Sequence, residues 1–166
     1  IKDAYVEKYP DLNPDFIFIG PAHNFRSNEI NAVLGLSQIK KLDDNNKKRV
    51  SNFEYFINKL DKQKYFTDFI TEGQCNYAFI VIMKDRNIEF RNKVEQQMKD
   101  NGIEFRRGLS GGGNQLRQPY FRDKNINYEE FKNIEHIHNY SWYIGNYPSL
   151  QKEQIDYLLG VLNEVE

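Results

Sequence analysis

Cysteine is nearly absent: Cys75 is the only one in 166 residues. A single thiol excludes an internal disulfide framework and a thiolate metal cage. Net charge is nearly absent as well, since 23 basic and 24 acidic side chains leave a formal −1. Such a balance gives no field to gather nucleic acid or an anionic membrane, and neither is expected as a partner. There is no long apolar run. Mean hydropathy is −0.78, and the longest uncharged apolar stretch, residues 77–83, has the length of a buried strand, not of a membrane span. Neither a Ser/His/Asp order nor a paired-carboxylate pattern stands out. An initiator methionine is also missing, because residue 1 is Ile. With no signal peptide before it, the chain is read as a cytoplasmic piece of something longer. Aromatic side chains, by contrast, make up 14% of the residues. That richness argues against disorder and for a continuous core in a domain of this length.

Along the chain, residues 1–22 read as an irregular arm or interface segment. Pro10, Asn13-Pro14 and Gly20-Pro21 punctuate it around one short apolar run, residues 16–19. A helix is expected next, capped by Ser27, with Glu29 in its first turn and Ile30, Val33, Leu34, Ile39 and Leu42 as an apolar stripe. Residues 43–46 read as a break or kink. A second helix to about Leu60 carries Val50, Phe53, Phe56, Ile57 and Leu60 inward. Residues 77–83 read as a central strand, and residues 88–100 as an amphipathic helix ended by Asn101-Gly102. Residues 103–106 then form a short strand, so the unit is of mixed α/β type. Beyond a glycine-rich loop, a short helix is expected over 128–139 and an edge strand over 142–146. A closing helix follows over 149–165, capped by Ser149, with Ile155, Leu158, Leu159 and Leu162 on one face.

The loop over 107–119 is the least ordinary segment. Gly111, Gly112 and Gly113 let a backbone approach a ligand closely, and Arg107 and Arg117 offer guanidinium contacts to a phosphate or diphosphate. It lacks the lysine of a triphosphate-binding loop. An ordinary surface loop is the competing reading. At the loop-to-helix junction, His23, Asn24 and Arg26 suit an anion near a helix N-terminus, or merely a cap beside an exposed arginine. His136 and His138, two apart with Glu135 adjacent, would not share a face on a helix, and no further ligands are found, so no metal site is assigned. Cys75 reads as a small, partly buried side chain rather than a nucleophile. Residues alone lead to an α/β domain with two candidate anion-binding loops.

Three segments add a resemblance. Asn24-x-Arg26, an acidic helix start, Ala32-x-x-Gly35-Leu36, Gln38 and Lys40-x-Leu42-Asp43 resemble the Asn-x-Arg motif and long helix of the DegT/StrS family. These are nucleotide-sugar aminotransferases and dehydratases dependent on pyridoxal or pyridoxamine phosphate. Residues 113–121 and 142–150 are similar to the substrate loop and the segment before the final helix of the family's sugar 3-dehydratases. The resemblance runs from about residue 16 to the end and matches only the C-terminal part of such an enzyme. It implies an α/β fold: a long N-terminal helix, then a small, mostly antiparallel sheet covered by helices, as in the small domain of fold-type I enzymes. On that basis residues 23–166 are the small domain, and an N-terminal cofactor domain is missing.

Function follows from the same resemblance. It implies removal of the 3-hydroxyl from a nucleotide-linked 4-keto-6-deoxyhexose, in deoxysugar synthesis of the lipopolysaccharide O-antigen type. Asn24, with Arg26 reinforcing it, matches the residue that reaches the cofactor phosphate of the partner in a homodimer. Asn114 and Arg117 match the loop that approaches the nucleotide-diphosphate sugar, Arg117 facing the diphosphate. The residue facing the cofactor's reactive carbon is a lysine in the aminotransferases and a histidine in the dehydratases, and it lies upstream of this chain's span. No catalytic residue is therefore assigned, and the chain alone is expected to be inactive and not to hold the cofactor tightly. A sugar-nucleotide 4-aminotransferase domain stays open as an alternative, as does a non-catalytic dimerisation or phosphate-ligand module.

Overall fold

The computed structural model describes residues 2–10, 27–108, 113–118, 121, 124 and 126–166. They divide into two compact units, Ile1–Ile39 and Lys40–Glu166.

The first unit contributes α1 (Lys2–Lys8) and α2 (Glu29–Ile39). Where an irregular arm is expected, Lys2–Lys8 winds into two turns, with Asp3 and Lys8 placed favourably for the helix dipole. The expected strand at 16–19 lies outside the described residues. Helix α2 is capped by Asn28 and not by Ser27: the Asn28 Oδ1 accepts the Asn31 N–H at 3.0 Å. An Asn one residue before the first helical residue reaches that amide, whereas Ser27 is one position too early. In place of a single stripe, apolar residues wrap most of the helix: Leu36 joins Ile30, Val33, Leu34 and Ile39, while the expected Leu42 begins the next helix. At about 100° per residue, Ile30 and Leu34 fall on one side, Leu36 and Ile39 on the other, and Val33 between them. These five side chains are 58–70% exposed.

In the second unit, α3 (Leu42–Lys59) runs unbroken through residues 43–46. The break falls earlier, at Lys40 and Lys41, because Asp43 and Asp44 in the first turn favour a helix start there. Strand β1 (Ala78–Ile82) follows, then α4 (Ile88–Asp100), β2 (Arg106–Arg107), α5 (Lys132–Tyr140), β3 (Ser141–Gly145) and α6 (Lys152–Asn163). Single 3₁₀ turns occupy Gln115–Arg117 and Tyr128–Glu130. Asn87 caps α4 through the Phe90 N–H, and the helix ends as expected at Asn101-Gly102. Gly102 takes φ +68°, while the Ile103 and Gly102 amides return to the Met98 and Lys99 carbonyls. Both bonds of a Schellman stop are thus made. The closing helix starts at Lys152, capped by Gln151 and Gln154 in a reciprocal box, so Ser149 is not its cap.

The three strands pair antiparallel in the order β1-β3-β2. This corrects two expectations: β3 is the central strand, and β1 lies at an edge of the sheet. Period-two alternation sends Phe79, Val81, Trp142 and Ile144 to one face. There they bury with Phe53, Phe56 and Leu60 of the α3 region, Val94 and Met98 of α4, and Leu158 and Leu162 of α6. The Phe56 and Phe79 rings stack at 4.5 Å, tying α3 to β1. Asn146, 0% exposed at the end of β3, donates to the Arg49 and Asn76 carbonyls at 2.9 Å each and accepts from Asn52. Helix α5 runs directly into β3, which fixes the position of everything α5 holds.

Candidate functional site

Residues 113–118 lie on α5, and a glycine makes that approach possible. Gly113 has φ +87°, and a Cβ there would sit 2.4 Å from His138 Nδ1 and 2.9 Å from its Cα. The next residue, Asn114, is 2% exposed and bonded on every side. Its N–H donates to His138 Nδ1 at 3.1 Å, and its Nδ2 donates to Glu135 Oε1 at 2.7 Å. Its Oδ1 accepts the Leu116 N–H at 3.0 Å, capping the 3₁₀ turn that carries Arg117. That turn sends the Arg117 guanidinium back onto the same carboxylate: Nε donates to Glu135 Oε1 at 2.8 Å and Nη2 to Oε2. The guanidinium also lies over the Tyr128 ring, 4.2 Å from its centroid, as a cation–π contact.

Glu135 is therefore the hub. The Arg117 bonds, then the Asn114 amide, hold its carboxyl below the usual range against the opposing effect of burial. Leu116, Arg117, Phe121, Ile126, Tyr128 and His138 line a cavity of about 400 Å³ beside it. Two aromatic rings, an imidazole and a guanidinium are among its lining groups, and its volume lies within the range of small-molecule sites.

The two expected substrate-loop residues, Asn114 and Arg117, thus meet at one place. Arg107 does not join them. It forms a two-pronged pair with Glu95 on α4, and Trp142 Nε1 donates to the same carboxylate at 2.9 Å. Glu95 is 6% exposed. Burial pushes its carboxyl up, but Arg107 and Trp142 outweigh burial and hold it down. Arg107 is a core-edge counter-ion for that reason. Asn24 and Arg26, and with them His23, lie outside the described residues, as do Gly111 and Gly112.

His136 and His138 diverge as helical spacing requires. His136 Nε2 donates to the Met83 carbonyl at 2.6 Å, while His138 receives the loop. Cys75 is exposed rather than partly buried, its thiol donating to Asn46 Oδ1 at 3.2 Å. It stands in a polar loop with no apolar neighbour in sequence before Tyr77. Sequence reasoning missed Glu135 and Tyr128 as partners of the loop. A signal was there: Glu135 and His138 are three apart, which puts them on one face of the expected helix.

The family described as the DegT/DnrJ/EryC1/StrS aminotransferase family matches residues 2–163. A GDP-4-keto-6-deoxy-D-mannose 3-dehydratase of Escherichia coli O55:H7 is 28% identical over 162 residues, covering 95% of this chain and 41% of that protein. The lipopolysaccharide biosynthesis protein RfbH of Salmonella typhimurium is 26% identical over 149 residues, covering 86% of this chain and 33% of the relative. Among solved structures, the E. coli GDP-4-keto-6-deoxy-D-mannose-3-dehydratase with bound hydrated PLP superposes with a TM-score of 0.73 at 26% identity. It covers 90% of this chain and 39% of the enzyme. The chain thus spans 33% to 41% of the length of these curated relatives. The expected fold, a small antiparallel sheet covered by helices, is the one observed.

Proposed function

This chain belongs to the DegT/DnrJ/EryC1/StrS aminotransferase family, and from that premise we propose that it is the small C-terminal domain of a sugar-nucleotide 3-dehydratase. The whole enzyme acts, in this reading, on a nucleotide-linked 4-keto-6-deoxyhexose in the cytoplasm, for lipopolysaccharide-type deoxysugar synthesis. The observation that carries it is the 28% identity with a 3-dehydratase over 162 residues. The geometry supports a narrower role for the chain itself. Asn114 and Arg117 are brought together on α5: Arg117 lines a cavity and gives one wall for the nucleotide-diphosphate sugar, while Asn114, buried beneath it, caps the turn that carries Arg117.

Pyridoxal or pyridoxamine phosphate supplies, when bound, the electron sink that lets a hydroxyl next to a carbonyl carbon depart. The Asn114 donors and the Nε and Nη2 of Arg117 are directed to Glu135 and His138, which leaves little of the 113–117 turn to cradle the cofactor's phosphate. That phosphate falls instead to Asn24 and Arg26, acting across a homodimer. The remaining cofactor contacts fall to an N-terminal domain. The apolar, exposed circumference of α2 supports such a covering partner, since a helix apolar on most sides is built to be enclosed. What this chain does in catalysis is bind and orient: the Nη1 edge of the Arg117 guanidinium, outside the fork to Glu135, fixes an anionic acceptor group.

The test is the full-length protein given GDP- and CDP-linked 4-keto-6-deoxyhexoses with pyridoxamine phosphate. Loss of the sugar's 3-hydroxyl is the expected outcome. Amine transfer to C4 with the 3-hydroxyl retained would move the enzyme to the aminotransferases. Asn24→Ala with Arg26→Ala should lower cofactor retention in the same protein, and unchanged retention removes both from the phosphate site. The purified chain alone should show little cofactor absorbance; a tight, lysine-linked chromophore contradicts the proposed division of labour.

A further inference from the structure

We propose that Glu135 is a positioning residue for substrate binding, the group through which α5 sets where Asn114 and Arg117 stand. This rests on the reading of residues 113–118 as a substrate wall. Three side-chain N–H donors from two loop residues converge on one carboxylate: Asn114 Nδ2, Arg117 Nε and Arg117 Nη2. The Glu135 side chain is only 14% exposed. A carboxylate so enclosed costs free energy to desolvate, and only fully made charge-assisted bonds offset that cost. The loop is correspondingly shaped to make them. Gly113 takes a left-handed φ at the point of closest approach, Asn114 caps its own turn, and His138 accepts the Asn114 amide one helical turn beyond Glu135.

An alternative role for the same carboxylate has the opposite sign. If Glu135 merely neutralised Arg117, it would compete with an anionic ligand for the guanidinium, and its removal would tighten binding. The geometry points to positioning. The fork to Glu135 engages Nε and Nη2, two of the five guanidinium N–H donors. Held at that edge and against Tyr128, the Nη1 edge takes a defined direction while Arg117 still lines the cavity. A long, rotamer-rich side chain fixed in this way loses less entropy when a ligand arrives.

The experiment uses the full-length protein, with GDP and CDP as probes in titration calorimetry, and hydrogen exchange over residues 113–118. Glu135→Gln should weaken the better-bound nucleotide by about tenfold, the loss of one charge-assisted bond. It should also speed exchange at the Asn114 and Leu116 amides and raise KM with kcat largely kept. Glu135→Asp, which retains the charge one methylene shorter, should recover part of the affinity. Should Glu135→Gln not fold, Glu135→Asp carries the test, with an intermediate loss expected and unchanged affinity overturning the proposal. Glu135→Gln binding as tightly as the wild type, or more tightly, overturns positioning while leaving the proposed function intact. Failure of the wild-type protein to bind either nucleotide instead removes the substrate-wall reading itself, and the role of Glu135 with it.

Discussion

Trp142 donates its indole N–H to Glu95 Oε1 at 2.9 Å, joining the central strand to α4 through a carboxylate that is 6% exposed. Arg107 completes the pairing from β2 with two further bonds. One acidic side chain therefore ties two of the three strands to a helix. Glu95→Ala leaves the Trp142 N–H unpaired in the core and is expected to cost about 3 kcal/mol, measured by urea denaturation. Glu95→Gln should cost less, because an amide oxygen still accepts from the indole while Arg107, half exposed, turns to water.

Acid should act through the same group. The carboxyls of Glu95 and Glu135 are both held below their ordinary value in the folded chain. A depressed carboxylate contributes stability that is present above its unfolded pKa and is lost as pH falls through the folded one. The unfolding free energy of the wild type should therefore decline as pH drops below about 4.5. Glu95→Gln should show a shallower decline over that window. An equal slope in both proteins would mean that Glu95 does not bind its partners as an anion.

Gly113 and Gly73 provide a matched pair. Both adopt positive φ, +87° and +73°, but a Cβ at Gly73 meets nothing within 4 Å while one at Gly113 strikes His138. Alanine at Gly73 pays only the left-handed penalty, about 1 kcal/mol. Alanine at Gly113 adds the collision and should cost at least twice as much, or lift residues 113–118 from α5. Thermal unfolding of the two variants separates these outcomes, and equal shifts would deny the close approach.

These residues also show where the sequence was legible. The inward faces of α3, α4 and α6 follow from spacing, because helical period alone places Phe53, Phe56, Val94, Met98, Leu158 and Leu162 together. Strand order does not follow from spacing. Residues 77–83 read as central because they are the most apolar strand, yet β3 is central, with Trp142 and Ile144 sharing its core face and long-range pairing on both sides. The caps of α2 and α6 lie one and two positions beyond the expected Ser27 and Ser149, where Asn28 and Gln151 meet the helix on geometry that sequence does not carry. At the candidate site, Asn114 and Arg117 were visible from resemblance. Their dependence on Glu135 was not, since it joins residues 18 to 21 apart across a loop.

Asn146 makes the same point about long-range polar pairing. Its Nδ2 donates to two carbonyls, Arg49 and Asn76, and aspartate in its place would aim a carboxylate oxygen at both. Asn146→Asp should cost about 3 kcal/mol at neutral pH, as an unpaired buried charge does. The variant's carboxyl is raised by burial and by the facing carbonyls, so its deficit should shrink as pH falls and the proton restores one donor. Chemical denaturation of wild type and variant at two pH values reads this directly. A deficit that does not change with pH would place position 146 in contact with water.

Helix α2 yields the remaining prediction, and it depends on exposure. Ile30, Val33, Leu34, Leu36 and Ile39 are each at least 58% exposed and occupy most of the helix circumference. In water such a surface stabilises association, not the isolated fold. Val33→Glu with Leu36→Lys should change the chain's unfolding free energy by no more than about 0.5 kcal/mol, because neither side chain is buried. The same pair should abolish concentration-dependent association of the chain in sedimentation velocity. Placed in the full-length protein, the two charges would have to be buried under the proposed N-terminal domain, and soluble yield should fall sharply. If the full-length protein tolerates both charges as readily as the isolated chain, α2 is a solvent-facing helix there too, and its apolar surface needs another explanation.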